Sequence, residues 1–222
     1  MALLVKEKIV KLALIGATGR TGTHVLAAAL GRGHDVTALV RDPDKLDSRT
    51  RAAVRVVVGD ATEPEALTDL LTGVDAVVSA LGPTSKEGDL HTRTADALIA
   101  IMARTGPRRF VGVSGAGIDV PGDRKSAANK VISALIQLLG GAVVKDKPAE
   151  YAAWAASDLD WTLVRPPRLV DGPASTRPLE HDAHRSTRST KITRADLGGF
   201  LIDVVERDLH PRQAPFVATP RA

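Results

Sequence analysis

Gly16, Gly19 and Gly22, in the stretch GATGRTG, stand three residues apart between an apolar run and an alanine-rich helical pattern. Glycine at a strand end permits a tight turn, a second lets a pyrophosphate approach the backbone, and a third lets helix and sheet pack closely. The unpaired N–H groups of the helix's first turn, aided by the helix dipole, then hold the phosphates. This spacing points to a dinucleotide. Glycine turns before helices also occur in chains that bind nothing, so position carries the weight. The triplet ends the first apolar run, and the second such run finishes at Val40, about where a ribose-contacting residue is expected.

At that point the chain reads VRDPDK. An acidic side chain there bonds the adenosine ribose hydroxyls of NAD, whereas an arginine accommodates the 2′-phosphate of NADP. Arg41 therefore favours NADP, and Arg20, inside the glycine loop, adds a second cation. Asp42 pulls the other way, and the competing reading makes Arg41 a solvated turn residue. Asp60, after VRVVV, also has two readings: a carboxylate that accepts a bond from the adenine amino group, or a turn or helix-cap residue.

These residues need a scaffold, and the scaffold is legible. Short continuous apolar runs, the mark of buried parallel strands, recur as KLALIGA, DVTALV, VRVVVGD, DAVVSAL, RRFVGVSG and DWTLVRP. Helical patterning lies between them over 20–32, 63–71, 91–104 and 126–139, with a further stretch over 147–157. Alternating strand and helix predicts one α/β domain over 1–222, a Rossmann-like, doubly wound parallel sheet with helices on both faces. Ligands of such sheets sit beyond the carboxyl ends of the strands. The segment VDGPASTRPLEHDAHRSTRS is polar and aperiodic, so 167–190 reads as an irregular substrate loop over that edge. After it, KITRADLGGFLIDVVE reads as a short strand and a helix capped near Thr193 or Asp196, and APFVAT as a last strand.

Composition narrows the classes. The chain has 222 residues, 44% of them hydrophobic and 3% aromatic, which implies an aliphatic core. With no cysteine, disulfides, thiolate metal sites and Cys nucleophiles are excluded. A formal charge of +4, with basic residues spread among acidic ones, argues against nucleic acid as a partner. Lys6, Glu7, Lys8 and Lys11 interrupt the apolar N-terminus, so it reads as a first strand rather than a signal peptide. No apolar run approaches the roughly 20 residues of a membrane span. The expectation is a soluble, cytoplasmic protein with a small-molecule acceptor, as a monomer or, through ISALIQLLGGAVV, a homodimer.

Taken in order, GATGRTG, VTALVRDPDKL, VVVGDATEPEAL, DAVVSALG, FVGVSGAGI, LDWTLVRPPRLVDGP and ITRADLGGFLI resemble the atypical short-chain dehydrogenase/reductases. Within them the chain is similar to the NmrA-like, NAD(P)-binding branch and its biliverdin reductase B/flavin reductase group, over about Lys11 to Ala218. The resemblance implies that Gly16, Thr18, Gly19, Arg20, Thr21 and Gly22 wrap the pyrophosphate and adenosine end. It implies Arg41 at the 2′-phosphate and Asp60 with Ala61 at the adenine. Ala80, Leu81 and Gly82 would line the nicotinamide ribose, and Ser114 and Pro166 the nicotinamide. The bond before Pro166 or Pro167 is a candidate cis peptide.

Standard members of that superfamily reduce carbonyls with a Tyr and Lys separated by three residues. The one tyrosine here, Tyr151, is followed four positions later by Ala155, so that pair fails. Aligning backward from SDLDWTLVRPP places Lys147 at the family lysine and Val143 at the family tyrosine. Without a phenol to donate a proton, a simple ketone is a poor acceptor; a flavin or quinone delocalises the arriving charge and takes its proton from solvent. The expected activity is NAD(P)H-dependent hydride transfer to such a flat acceptor, with NADPH preferred over NADH and flavin as substrate rather than bound cofactor.

Ser114 and Lys147 are the candidate catalytic residues. Ser114 would donate to the acceptor or carboxamide, or else only cap a turn; Lys147 would hold ribose hydroxyls or offset charge, or else be solvated. Lys130 and Lys145 are less favoured alternatives. His181 and His184 are candidate proton donors rather than metal ligands, because no rigid element fixes their geometry. No metal is expected. Two other functions fit: a redox-sensing regulator that binds NADP(H) with little turnover, and an epimerase or dehydratase acting on a nucleotide sugar. The latter is disfavoured by the absent Tyr/Lys pair.

Overall fold

Residues that alternate between two helical layers must be apolar on both faces, and the six apolar runs meet that condition by forming strands of one sheet. The computed structural model describes residues 9–82, 88–125 and 141–220. Its strands are β1 (Lys11–Ile15), β2 (Asp35–Val40), β3 (Arg55–Val58), β4 (Ala76–Ser79), β5 (Arg109–Val113) and β6 (Asp160–Val164). The helices are α1 (Gly22–Gly31), α2 (Ser48–Ala53), α3 (Pro64–Leu70), α4 (Leu90–Thr105), α5 (Gly141–Ala156) and α6 (Arg194–Glu206). The six strands pair in parallel in the order β3-β2-β1-β4-β5-β6. From β1 the chain winds outward to β3, then crosses back to β4, so the switch point lies between β1 and β4.

Register aligns the functional edge. Ile15 lies opposite Leu39 and Ser79, Ser79 opposite Gly112, and Gly112 opposite Leu163. Side-chain alternation divides the core: Leu12, Leu14, Val36, Val78, Val111 and Val164 face α1 and α6. Ala13, Ile15, Leu39, Val77, Phe110 and Leu163 face α3, α4 and α5. Full burial of each large aliphatic side chain contributes about 1.5–3 kcal/mol. The few aromatics are used on the second face, where Trp154 stacks on Phe110 with ring centroids 3.8 Å apart.

The exposed flank of β6 is covered by the chain after α6. Leu163 N donates to Gln213 O at 3.1 Å and Arg165 N to Pro215 O at 2.8 Å. Arg165 itself is fully buried, and its guanidinium donates to both carboxylate oxygens of Asp123 (2.6 and 2.7 Å) and to Ala214 O (2.6 Å). It also lies 3.8 Å over the Phe216 ring. This clamp binds the loop after β5 to the end of β6.

The stretch 167–190, expected as a substrate loop, is not without secondary structure. That stretch holds β7 (Arg168–Val170) and β8 (Glu180–Asp182). β7 pairs in parallel with β9 (Lys191–Thr193), and β8 antiparallel with β10 (Phe216–Ala218). Both partners are distant in sequence, so no local alternation announces them. The helix expected over 126–139 and most of ISALIQLLGGAVV lie outside the described residues, as do Lys130 and residues 1–8. Thr193 caps α6, its hydroxyl oxygen accepting from Asp196 N at 3.0 Å. Neither peptide bond before Pro166 or Pro167 is cis.

Candidate functional site

The turn from β1 into α1 is built on two glycines. Gly16 has φ +80°, and a Cβ there would stand 2.8 Å from Ala80 O, so this backbone runs directly against the end of β4. Gly19 N donates to Gly16 O at 2.9 Å, closing the turn. Thr21 makes no side-chain cap and the first turn of α1 carries no acidic residue, so no side chain competes for the amides that open the helix.

Beside this loop lies a cavity of about 280 Å³. Its walls include Gly16, Thr18, Gly19, Arg41, Asp60, Ala61, Ala80, Leu81 and Gly82. Thus nine residues singled out from sequence, drawn from four strand ends, converge on one space. Lys45 also lines it, and sequence reasoning passed it over although VRDPDK contains it. Asp42 explains its position: Asp42 caps a short 3₁₀ turn, Pro43–Lys45, by accepting from Asp44 N at 3.1 Å. Asp42 is therefore spent on the turn that presents Lys45.

Asp60 takes the turn role expected of it. Its Oδ1 accepts from Thr62 N at 2.9 Å and Thr62 Oγ1 at 2.8 Å, which is the turn reading. The residue also lines the cavity. Arg20 points elsewhere: its guanidinium pairs with Asp171 at 2.9 Å on the exposed rim. Asp171 also accepts from Arg194 at 2.6 Å. Its partial desolvation works to raise its pKa, but the two guanidiniums outweigh that and hold it below the usual carboxylate value.

Ser114, Lys147 and Pro166 are not among the residues that line this cavity; they lie at the end of β5, on α5 and just after β6. With Ser79 opposite Gly112, Leu81 and Ser114 each lie two residues beyond that pair at the same sheet edge. Ser114 N donates to Val164 O at 2.7 Å, while its hydroxyl is buried without a partner among the described residues. Such a group costs about 1–3 kcal/mol unless something binds it. Lys147, on α5, donates to Val113 O at 3.0 Å and to Glu150 at 2.8 Å. Its ammonium therefore sits against the residue preceding Ser114. Pro166 is buried, and its carbonyl accepts from Ala116 N at 3.1 Å.

Other candidates are placed differently. Tyr151, one turn beyond Lys147, lies edge-on to Trp161 with centroids 5.8 Å apart, and burial pushes its pKa up. Val143 and Lys145 fall in the first turns of α5. His181 is held by His210 (Nδ1 to Nε2, 2.9 Å) and packs on Phe200, residues of α6 and the connection after it. His184 N donates to Asp182 at 2.8 Å. Neither histidine lines the cavity. Among the described residues no group of three His, Cys, Asp or Glu is placed to hold a metal ion.

Sequence reasoning also missed a buried pair between α4 and α5. Asp146 accepts from His91 N at 2.7 Å and Thr92 N at 3.1 Å and lies 2.9 Å from His91 Nδ1. His91 Nε2 in turn lies 3.3 Å from Leu81 O in the cavity wall. The fold alone brings these residues, 55 positions apart, together, so no local sequence signal points to the pair.

This geometry fits a dinucleotide: the Gly16 backbone lies directly against the end of β4, and the cavity beside it is walled by Gly19, the cations Arg41 and Lys45, and Asp60. Comparison with known proteins agrees. A family model described as NAD(P)H-binding matches residues 16–208. YwnB of Bacillus subtilis is 35% identical over 107 residues, 48% of each chain, so the match spans about half of that relative. A Streptococcus pneumoniae protein provisionally described as an NADH-flavin reductase superposes with TM-score 0.75 at 25% identity, covering 95% of this chain and 100% of that one. ChuY of Escherichia coli, described as an anaerobilin reductase, superposes with TM-score 0.78 at 19% identity over 96% and 98% of the two chains, a likeness of fold.

Proposed function

The chain belongs to the NAD(P)H-binding family, and from that premise we propose that it is a reductase that uses NADPH to reduce a flat conjugated acceptor such as a flavin or quinone. The observation that carries this reading is the cavity lined by the Arg41 and Lys45 cations together with Leu81 and Gly82. The description of the Streptococcus pneumoniae neighbour supports the choice of acceptor class.

Arg41 and Lys45 would hold the 2′-phosphate, and the amides around Gly19 the pyrophosphate. Asp60 Oδ2 would accept from the adenine. When bound, the dihydronicotinamide supplies the hydride. Ser114 would donate its free O–H to a ligand oxygen at that end. Lys147 spends two of its three N–H donors on Val113 O and Glu150, leaving one for a ribose hydroxyl or for the charge that develops on the acceptor. Val143 offers no proton, so acceptors that delocalise charge and take a proton from water are favoured. The loop carrying β7 and β8 would cover the acceptor.

Mixing the protein with NADPH and FMN or a simple quinone, under anaerobic conditions, tests this by loss of the reduced nicotinamide absorbance. Steady turnover, faster with NADPH than with NADH, is expected. Tight binding with no turnover on any such acceptor would favour a redox sensor instead, a reading that the missing phenol also permits.

A further inference from the structure

Helix α4 needs a cap for its first amides, and the residue before it, Asp89, is of a type that supplies one locally. Asp89 makes no such bond. The cap comes instead from Asp146 on α5, which accepts from His91 N, Thr92 N and Thr92 Oγ1 (2.7, 3.1 and 2.5 Å). Its side chain is 1% exposed and that of His91 4%. Burying a carboxylate and an imidazole is costly where a surface aspartate would cap the helix just as well. Capping alone therefore does not account for the arrangement.

The pair's reach supplies the rest. His91 extends from Asp146 to the Leu81 carbonyl, and Leu81 and Leu90 both line the cavity. The residue after Asp146 is Lys147, whose ammonium rests on Val113 O beside Ser114. One buried unit thus joins the β4 wall of the cavity to the turn of α5 that carries Lys147. Arg41, Lys45 and Asp60 take part in none of these bonds, and Gly16 meets the end of β4 through Ala80 and Leu81 backbone rather than through His91.

We propose that His91 and Asp146 are positioning residues: they fix the Leu81–Gly82 wall relative to Lys147, and so set the placement of the nicotinamide half of the cofactor without touching it. The proposal rests on the cofactor reading above. It implies that the two halves of the ligand respond differently when the pair is broken, because the adenine half is held by other elements.

Calorimetric titration with NADPH and with 2′-phospho-ADP-ribose, which lacks the nicotinamide end, separates the halves. In His91→Phe, which keeps a ring but drops both nitrogens, NADPH should bind about tenfold more weakly, with 2′-phospho-ADP-ribose changed by no more than about twofold. Turnover with a quinone should fall by about ten- to a hundredfold, the cost of misplacement by about an ångström. His91→Gln, whose amide can donate to Leu81 O, should recover most of the NADPH affinity. A merely structural role would weaken both ligands alike, and that result, or no change in either, overturns the proposal while leaving the reductase reading intact. Should His91→Phe fail to fold, as judged by circular dichroism, His91→Leu is read by the same ratio. A wild-type protein that binds neither ligand defeats the cofactor reading, and this proposal with it.

Discussion

The carbonyl oxygen of Gly16 occupies the space that a side chain on Gly22 would need: a Cβ there would stand 1.8 Å from it. In an ordinary helix, glycine to alanine stabilises by about 1 kcal/mol. Here the contact is backbone on one side, so Gly22→Ala must push the glycine loop away from α1. The expected outcome is the reverse of the propensity rule, a lower melting temperature together with a loss of NADPH affinity of more than about tenfold. Thermal unfolding and ligand titration on the same preparation check both.

Arg41 and Lys45 share the cavity wall while Asp42 is engaged by the turn between them. Charge-assisted bonds to a phosphate contribute about 1.5–3 kcal/mol each. Lys45→Gln should therefore weaken NADPH by about tenfold and leave NADH nearly unchanged. Arg41→Glu should reverse the preference toward NADH. Competition between the two nucleotides measures the ratio; equal weakening of both by Lys45→Gln would remove that lysine from the 2′-phosphate site.

The six strands and most of the cavity wall are legible in the sequence because parallel strands buried on both faces leave continuous apolar runs, and because the ligand edge follows each run at once. Gly16, Arg41 and Asp60 are found by that rule, whereas Leu81 comes from the family resemblance. Strands β7 and β8 escape it: three residues each, half exposed, they pair with β9 and β10 across loops. Helix α2 escapes for another reason, since SRTRAA buries no residue and so has no periodicity. Arg20 looks like a phosphate ligand in the linear motif, but its partner Asp171 lies 151 positions away. His91 and Asp146 are the same case in the interior.

Burial works to raise the pKa of Asp146, but the Thr92 hydroxyl and the His91 and Thr92 amides outweigh it and hold the carboxyl below its ordinary 3.8. The stability it provides is complete above about pH 4 and is lost as pH falls through the lower, folded value. Asp146→Asn should therefore cost about 3 kcal/mol at neutral pH. The difference from wild type should narrow only in strong acid. Denaturant unfolding at a series of pH values checks this; a gap that already closes near pH 6 would contradict it.

His181 and His210 are pushed below the ordinary 6.5, both mainly by burial, and His181 further by His210. Their neutral forms are kept in the folded state, so the unfolded chain binds more protons as pH drops. Stability falls as pH passes down through about 6.5 and levels off below the folded values. His181→Gln should reduce that fall by about half, since one of the two groups is removed. Melting temperatures between about pH 7.5 and pH 5 report it.

The central claim is that the cavity beside Gly16 and Gly19 takes a nicotinamide dinucleotide with its 2′-phosphate on Arg41 and Lys45. Isothermal titration of the wild-type protein with NADPH measures this directly. One NADPH should bind per chain, more tightly than NADH by about tenfold or more, the difference one charge-assisted phosphate contact provides. An absence of binding heat for both nucleotides, together with no displacement of either by 2′-phospho-ADP-ribose, would contradict the account.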